Sequence, residues 1–360
     1  MQGDETAEKT AEMTAGRAAD EAAAGAMVVD RGRYPAAVTP WESGEWRDAA
    51  LGWVRQELAA HGLRTAAEGA VRVRLRPWSV LMRLAVVGRG DDVWFKANPP
   101  ASAFEAGLTA ALARWVPGQV LEPLAVDAGR GWALLPDGGE LFRDVLDRGP
   151  ADPRAWEQPL AQYADLQRAL VPHTAHLERL GVPSARTAQL PDIFDQIVAD
   201  NAALSPDDRS RLGALRPRLA DWCRELAGLG IADSLDHADL HEGQLFAPRA
   251  GRFTFFDWGD ATVSHPFFSF RVPAAAVRER FGADALPRLR DAYLEPWTAD
   301  GRTTADLRRA IRLAWRLGAL GRAHSWGRMF PPPSDAPDAT AMGVAESAAS
   351  LRELLTEPAL

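Results

Sequence analysis

The fold is decided by two short stretches of the chain, LDHADLHEGQ at residues 235–244 and FDWGD at residues 256–260. The runs at 244–247 and 252–256 are typical of β-strands, and the sequence PRAG between them is typical of a turn, so the pattern predicts a β-hairpin. A tight hairpin brings the outer ends of its two strands together. We therefore expect Asp239 and Asp257, which flank it, to lie close in space.

Such a pair of carboxylates is what phosphoryl transfer requires. One carboxylate orients the attacking hydroxyl and accepts its proton, while another holds the magnesium ion that neutralises the phosphates. Magnesium prefers oxygen ligands, and a side-chain amide supplies one. Gln244, five residues after Asp239, carries such an amide at the start of the hairpin.

The two stretches resemble the motifs of the aminoglycoside phosphotransferase-like family of the protein-kinase-like fold, in which His-x-Asp-(x)4-Asn precedes an apolar strand ending in Asp-Trp. The matching residues are His237, Asp239, Leu240, His241, Gly243, Asp257 and Trp258. The resemblance implies that Asp239 is the catalytic base, that Asp257 with Gln244 holds Mg²⁺, and that the nucleotide is ATP or GTP. It also implies that the acceptor is a hydroxyl of a small molecule, such as an antibiotic, a sugar or an amino alcohol.

Two histidines of the first stretch are further candidates for the catalytic site. His237 is a candidate proton carrier, although a packed residue that orients the loop is the commoner role for such a histidine. His241 is placed by the resemblance nearer the phosphates, and a solvated loop histidine explains it almost equally well.

The sequence departs from the family pattern in two places. Gln244 stands where the pattern has Asn, and its side chain is one methylene longer. No glycine-rich loop precedes the second predicted strand, because Arg76-Pro77-Trp78-Ser79-Val80 occupies that turn. Ser79 still offers a backbone N–H and a hydroxyl to a phosphate.

Lys96 is singled out by composition, because the chain has 39 arginines and two lysines, Lys9 and Lys96. A position that keeps lysine against this bias favours a need for a compact ammonium group, although chance explains a surface lysine equally well. The resemblance implies that Lys96 holds the α- and β-phosphates and that Glu105 anchors it. Glu105 is also placed for a capping box with Ser102. Leu135 and Asp137 fall where a linker would present backbone groups to a purine.

Periodicity predicts an α+β architecture with two lobes, a small antiparallel β-sheet lobe and a larger, mainly helical one. Alternating apolar residues predict strands at 71–75, 80–87 and 93–96, followed by a helix from about Ser102 and strands at 120–126 and 131–135. Helices are predicted at 155–171, 191–203, 207–228, 272–294 and 304–327. We expect a disordered tail at 1–26, a nucleotide-binding lobe at 27–136, a catalytic and acceptor-binding lobe at 137–360, and a cleft between them.

Composition narrows the functional classes. With 360 residues, 47% of them apolar, the chain is long enough to bury a core, and its net charge of −8 argues against nucleic-acid binding. No run of about 18 apolar residues predicts a membrane span, and a single cysteine is typical of a reducing cytoplasm. Trp297, Trp315 and Trp326, with Asp260, Asp291 and Glu295, are candidates to face the acceptor, although a solvated helical face explains the same acids.

Two alternatives to a small-molecule phosphotransferase remain open. Gln244 and the missing glycine loop are also compatible with a nucleotide-binding pseudokinase that acts as a scaffold. A kinase for seryl or threonyl peptides needs a platform after Asp257, and the short run of residues 261–266 before Phe267 leaves little room for one.

Overall fold

The computed structural model of the chain describes residues 27–32, 34–66, 71–149, 152–329 and 337–356, so the predicted tail at 1–26 lies outside the described residues. The chain folds into two compact units. The first combines Met1–Ala97 with Leu134–Asp137, and the second combines Asn98–Ala133 with Gly138–Leu360. These units are defined by packing, and the lobe boundary after residue 136 stays a prediction.

The first unit is built from one long helix and a set of short strands. Its elements are β1 (Val28–Asp30), α1 (Gly44–Ala60), β2 (Arg64–Thr65), β3 (Val71–Arg76), β4 (Ser79–Leu84), β5 (Val86–Val87) and β6 (Val93–Ala97). Ser43 caps α1, because its side chain accepts a hydrogen bond from the backbone N–H of Trp46 at 3.3 Å. The helix ends at Ala60, before His61.

Strands β3, β4 and β6 form the predicted antiparallel meander. Arg76 pairs with Ser79 at the β3–β4 turn, and Leu81 pairs with Lys96 between β4 and β6. Because successive side chains of a strand point to opposite faces, the apolar residues collect on one face. The buried residues of that face are Val73, Leu75, Val80, Met82, Leu84, Val93, Phe95 and Ala97.

The second unit contains most of the helices. Its elements are α2 (Phe104–Trp115), β7 (Ala125–Asp127), β8 (Trp132–Pro136), α3 (Phe142–Arg148), α4 (Glu157–Leu170), α5 (Thr174–Arg179), β9 (Ser184–Ala185), α6 (Leu190–Asp200), α7 (Pro206–Gly228), β10 (Ser234–Asp236), β11 (Leu245–Arg249), β12 (Arg252–Phe255), β13 (Thr262–Ser264), α8 (Arg271–Phe281), α9 (Leu286–Leu294), α10 (Thr304–Met329) and α11 (Pro337–Glu353). Strand β8 leaves this unit after Ala133.

The strands are arranged in one larger sheet and several small ones. The larger sheet has the order β1-β3-β4-β6-β8-β7, with β1 parallel to β3. A three-stranded sheet has the order β10-β13-β9, and β11 pairs with β12. Across the described residues, none of the helices combines the length and the apolar character that a membrane span requires.

Three predicted elements differ from those observed. The strand predicted at 80–87 is divided, since β4 ends at Leu84 and Val86–Val87 forms β5, which pairs with β2. The helix predicted at 272–294 is split into α8 and α9, because Gly282 takes a left-handed conformation with φ of 86° and Pro287 lies in the first turn of the next helix. The strand predicted at 120–126 is present only from Ala125, because Pro123 lacks the N–H that a ladder needs.

The helical unit has one continuous apolar core, to which α2, α4, α6, α7, α8, α9 and α10 contribute. The core surrounds the small β10-β13-β9 sheet, whose residues are almost all buried. This sheet therefore holds the chain segments that follow β10 and precede β13 in a fixed position.

A hydrogen-bonded cluster joins the N-terminus of α7 to α11. Asp208 Oδ2 accepts hydrogen bonds from the Ser205 backbone N–H at 3.1 Å and from Arg352 Nη2 at 3.0 Å, while Ser205 Oγ accepts from the Asp208 backbone N–H at 3.0 Å. The hydrogen bond from Arg352 and those from Ser205 lower the pKa of Asp208 to about 2.

We expect Asp208→Asn to lower the free energy of unfolding at neutral pH, because the charged acceptor of this cluster is lost. In the folded chain the pKa of Asp208 lies below its ordinary value of 3.8. The contribution of the charged carboxylate to the free energy of unfolding is therefore complete above pH 3.8 and disappears as the pH falls towards about 2. Urea unfolding of both proteins across this range should show the difference closing at low pH. Asp207→Asn is the matched control, since Asp207 is 79% exposed. A difference that persists unchanged at pH 2 would contradict the cluster.

Candidate active site

The predicted hairpin is present and ends where the candidate acids begin. Leu245 pairs with Phe255, and the carbonyl of Gln244 accepts a hydrogen bond from the Phe256 backbone N–H at 3.1 Å. Ala250 and Gly251 turn the chain with φ values of 50° and 78°. The segments 239–244 and 256–260 are therefore neighbours at the open end of the hairpin.

Asp236, at the end of β10, fixes the start of the loop that carries Asp239. Asp236 is buried and accepts hydrogen bonds from the Ala238 backbone N–H at 2.9 Å and from the hydroxyls of Ser264 and Ser269. Burial raises the pKa of this carboxyl, and the three donors oppose that rise. Pairing of Asp236 with Thr262 places the loop beside the segment that follows Asp257.

Buried polar side chains behind β10 support the same loop. Gln167 Nε2 donates to the carbonyls of Leu235 at 2.9 Å and Pro266 at 3.1 Å. Tyr293 donates from its hydroxyl to the Pro266 carbonyl at 2.8 Å, and the Tyr163 hydroxyl accepts from the His237 backbone N–H at 2.9 Å. A satisfied network of this kind specifies one loop conformation.

His237 lies in the interior of this arrangement. Its Nε2 donates to the Phe256 carbonyl at 2.8 Å, and its ring packs against Trp258 with centroids 4.6 Å apart. Desolvation lowers the pKa of His237 to about 4. The side chain thereby ties the Asp239 segment to the Asp257 segment, and its role as a proton carrier stays a prediction.

Asp239 is surrounded by three polar side chains. Its Oδ2 lies 3.5 Å from Gln244 Nε2 and 3.6 Å from His241 Nε2, and its Oδ1 lies 3.7 Å from Arg322 Nη1. Desolvation raises the pKa of Asp239 to about 6, the negative charge of Asp257 adds to the rise, and Arg322 opposes it. The segments that carry Asp239 and Asp257 are neighbours at the open end of the hairpin, so the charge of Asp257 acts on Asp239.

A third acid, Asp260, belongs to the same cluster. Desolvation raises its pKa to about 7, and the charges of Asp239 and Asp257 contribute. Ser325 Oγ lies 3.5 Å from Asp260 Oδ1, and Arg328 donates to the Asp260 carbonyl at 2.8 Å. Three carboxyl groups thus share one partly buried region and repel one another.

His241 is held in one tautomer by its neighbours. Its Nδ1 accepts from the Gly243 backbone N–H at 3.0 Å and lies 3.0 Å from Arg143 Nη2, which is a donor only. The proton of the neutral ring is therefore on Nε2, the atom that faces Asp239. Desolvation and the Arg143 charge lower the pKa of His241, so the neutral form is favoured.

The donor set at the hairpin end suits a hard divalent cation. Gln244 donates its amide N–H to Asp239, which leaves the amide oxygen for a cation beside the carboxylates of Asp239 and Asp257. In the described part of the chain, no group of three or more His, Cys, Asp or Glu side chains surrounds one metal position. Magnesium in phosphoryl-transfer sites takes one or two carboxylates and completes its shell with water and phosphate oxygens, so these residues fit it.

Glu105 is directed at the segment after Asp257. It is 6% exposed, its Oε1 accepts from the Trp258 backbone N–H at 3.0 Å, and Asn98 Nδ2 donates to its Oε2. The capping box with Ser102 is not formed, because α2 begins at Phe104 without a side-chain cap hydrogen bond. The ion pair of Glu105 with Lys96 stays a prediction.

The candidate nucleotide-binding residues of the first unit lie on or beside its strands. Ser79 begins β4, Lys96 is half-buried on β6, and Leu135 is half-buried on β8. Asp137 accepts a hydrogen bond from Trp94 Nε1 at 3.1 Å. The nucleotide-binding roles of these four residues stay predictions.

Two tryptophans that we expected near the acceptor are core residues instead. Trp297 is 2% exposed and packs edge-on against Phe267, and Trp315 is 9% exposed and packs edge-on against Phe270. Their assignment to the acceptor is wrong, because the favourable burial of a large aromatic ring outweighs any exposed role.

Sequence reasoning missed two arginines of α10. Arg322 donates to the Ala238 carbonyl at 2.9 Å and faces Asp239, and Arg328 is bound to the Asp260 segment. With Ser325 they are spaced three residues apart, which places them on one helix face. The sequence signal that could have identified these arginines is the polar face that Arg322, Ser325 and Arg328 form on an otherwise buried helix.

Comparison with known proteins identifies the fold. No protein-family model matches the chain, and a sequence search of curated proteins finds no match. Among solved structures, a choline/ethanolamine kinase family protein of Mesorhizobium loti matches with a TM-score of 0.52 and 15% identity, over 85% of this chain and 98% of that one. A macrolide 2′-phosphotransferase of Brachybacterium faecium matches with a TM-score of 0.51 and 19% identity, over 84% and 98%.

The GDP complex of an aminoglycoside 2′-phosphotransferase also matches, with a TM-score of 0.51 and 15% identity, over 85% of this chain and 98% of that one. The chain therefore has the α+β protein-kinase-like fold of aminoglycoside phosphotransferases and choline kinases, as the two sequence stretches predict.

Ala238 provides a test of the loop conformation, because it has a φ of 63° without being glycine. We expect Ala238→Gly to raise the free energy of unfolding by about 0.5–1 kcal/mol, since glycine adopts left-handed conformations without steric cost. Urea unfolding measures the change. Ala214→Gly, at an exposed position within α7, is the control and should lower stability by about 1 kcal/mol. Equal losses in both variants would contradict the left-handed loop.

Proposed function

We propose that the chain is a magnesium-dependent phosphotransferase that moves the γ-phosphate of ATP or GTP to a hydroxyl group of a small molecule. The observation that carries the proposal is that one hairpin holds the segments of Asp239 and Asp257 side by side, where the charge of Asp257 raises the pKa of Asp239. A fold retains such a repulsive pair when a cation and a phosphate chain are its ligands.

In this proposal Asp239 orients the acceptor hydroxyl and accepts its proton. Three donors, His241 Nε2, the Gln244 amide and Arg322, surround the carboxylate and restrict its rotation. A carboxylate held in one orientation is ready for the transfer, so this chain contributes mainly positioning.

Asp257 and the amide oxygen of Gln244 would hold Mg²⁺, and Glu105 supports Asp257 through the backbone N–H of the next residue. When bound, Mg²⁺ neutralises charge on the phosphates. Gly259 is the second residue after Asp257. A Cβ at Gly259 would lie 3.1 Å from Glu105 Oε2, so glycine allows the Glu105 side chain to approach this segment closely.

Nucleotide binding is assigned to the first unit by the resemblance. Lys96 would contact the α- and β-phosphates, Ser79 would donate to a phosphate, and Leu135 and Asp137 would present backbone groups to the base. A structural neighbour of this chain is a GDP complex, which supports a nucleotide as the phosphate donor.

The acceptor classes to test follow from the neighbours, whose names specify a macrolide, choline or ethanolamine, and an aminoglycoside. A peptide acceptor is less well supported. All ten residues 261–270, which follow the Asp257 segment, are buried, so they offer no exposed platform for a peptide strand.

We expect Asp239→Asn to lower kcat by roughly 10²–10⁴-fold while nucleotide binding is kept, because the variant cannot accept the hydroxyl proton. Transfer from labelled ATP or GTP to a panel of aminoglycosides, macrolides and amino alcohols measures the loss. Asp165→Asn is the control, since Asp165 is exposed and pairs with Arg168 within α4. Nucleotide binding without transfer to any acceptor would favour a scaffold and contradict the proposal.

We expect Lys96→Arg to lower turnover by roughly 10²-fold with the fold intact, because a forked guanidinium does not reproduce a compact ammonium group. Arg74→Lys, at an exposed position on β3, is the reverse exchange in the same sheet and should leave turnover unchanged. Near-normal rates for Lys96→Arg would show that this lysine is retained by chance.

A further inference from the structure

Arg322 of α10 reaches the proposed active site with hydrogen-bond donors that the chain itself does not use. Its Nη1 donates to the Ala238 carbonyl at 2.9 Å and lies 3.7 Å from Asp239 Oδ1. Within the described part of the chain its guanidinium makes no other hydrogen bond, so the N–H groups of Nε and Nη2 stay available. The side chain is 32% exposed, and a ligand can therefore reach these groups.

Arg328, near the end of the same helix, is bound quite differently. Its Nη2 donates to the carbonyls of Asp260 at 2.8 Å and Ala261 at 3.2 Å, and it lies 3.5 Å from Thr262 Oγ1. Arg328 thus ties α10 to the segment after Asp260, which is a structural role. Arg322 has one such bond and keeps the rest of its guanidinium beside the carboxylate of the base.

The Arg322 side chain is held in place without a ligand. Ala238, whose carbonyl accepts its hydrogen bond, is fixed in a left-handed conformation with φ of 63°. The neighbours of Arg322 along α10, Leu320 and Ala323, are fully buried in the apolar core. A donor fixed in this way stabilises charge that develops in a reaction without first having to reorient.

The two oxygens of the Asp239 carboxylate have different surroundings. Oδ2 lies 3.5 Å from Gln244 Nε2 and 3.6 Å from His241 Nε2. Oδ1 faces Arg322 across 3.7 Å, which is too long for a hydrogen bond, and it receives none from the described residues. An acceptor hydroxyl therefore has Oδ1 available. A hydroxyl that binds there lies beside the guanidinium, and so does the phosphoryl group that it attacks.

The charges of this region favour the same role. Desolvation raises the pKa values of Asp239 and Asp260, and the charge of Arg322 opposes both rises. A phosphoryl group that approaches Asp239 brings further negative charge to carboxylates that already repel one another. A guanidinium within contact distance offsets that repulsion where the new bond forms.

We propose that Arg322 is a catalytic residue whose Nε and Nη2 groups bind the oxygens of the phosphoryl group while it is transferred, an inference that rests on the proposed function. In this step the acceptor hydroxyl gives its proton to Asp239 and its oxygen forms a bond to the γ-phosphorus. The bond between that phosphorus and the bridging oxygen breaks, and ADP or GDP leaves with the electron pair. A forked guanidinium matches the oxygens of the phosphoryl group in geometry and charge.

The test is calorimetric titration of the full chain with ADP or GDP and Mg²⁺, with and without aluminium fluoride, which mimics the phosphoryl group in transfer. We expect aluminium fluoride to tighten nucleotide binding by the wild-type chain. In Arg322→Gln this gain should fall by roughly 10²-fold, because a donor to the transferred group is lost, while binding of the nucleotide alone is kept. Arg322→Lys retains the charge and a donor for Ala238 but lacks the fork, so its loss should be intermediate.

Arg312→Gln is the matched control, since it makes the same exchange at an exposed position of α10. It should keep the full gain from aluminium fluoride. With an acceptor that the panel identifies, Arg322→Gln should lower kcat by roughly 10²-fold and leave both KM values unchanged.

Each contrary result has a distinct meaning. An equal gain in Arg322→Gln and the wild-type chain would overturn the role of Arg322 and leave the phosphotransferase standing. Nucleotide binding without any gain in the wild-type chain would overturn the proposed function, and this role with it. An equal loss in Arg312→Gln would assign the effect to net charge. A raised KM for the acceptor with the gain intact would show that Arg322 binds the acceptor instead. Either of these two results would overturn the role.

Discussion

The candidate site depends on electrostatic repulsion that the fold maintains. Desolvation is the largest cause of the raised pKa values of Asp239 and Asp260; the charge of Asp257 adds to both rises, and the charge of Asp239 adds to that of Asp260. Isolated carboxylates would move apart or take up protons. Here the backbone restricts separation, because Ala238, directly before Asp239, and Asp257 itself are both held in left-handed conformations.

Hydrogen bonds, and not apolar packing alone, hold the segments of Asp239 and Asp257 in place. Asp236 anchors the chain before Asp239, His237 joins it to Phe256, and Glu105 anchors the chain after Asp257. Arg322 and Arg328 of α10 lie beside the acids without neutralising them fully. The remaining negative charge is what makes the region suitable for a divalent cation and a phosphate chain.

Contacts between residues close in the sequence were predictable, whereas contacts between residues far apart in the sequence were not. The hairpin and the approach of Asp239 to Asp257 follow from turn residues a few positions apart, so both were predictable. Arg322 contacts Ala238 across 84 residues, and β10 and β13 are three residues long, too short for an alternating pattern. Such contacts are decided by tertiary packing, which also places Trp297 in the core rather than facing an acceptor.

The most direct measurement of the central claim is Mn²⁺ binding in the presence of ADP, followed by electron paramagnetic resonance of the free ion. The account predicts a bound cation whose affinity falls by roughly tenfold or more in Asp257→Asn, because a carboxylate ligand is lost, and stays unchanged in Asp165→Asn. Wild-type affinity in Asp257→Asn would contradict the claim that the hairpin assembles these acids around one cation.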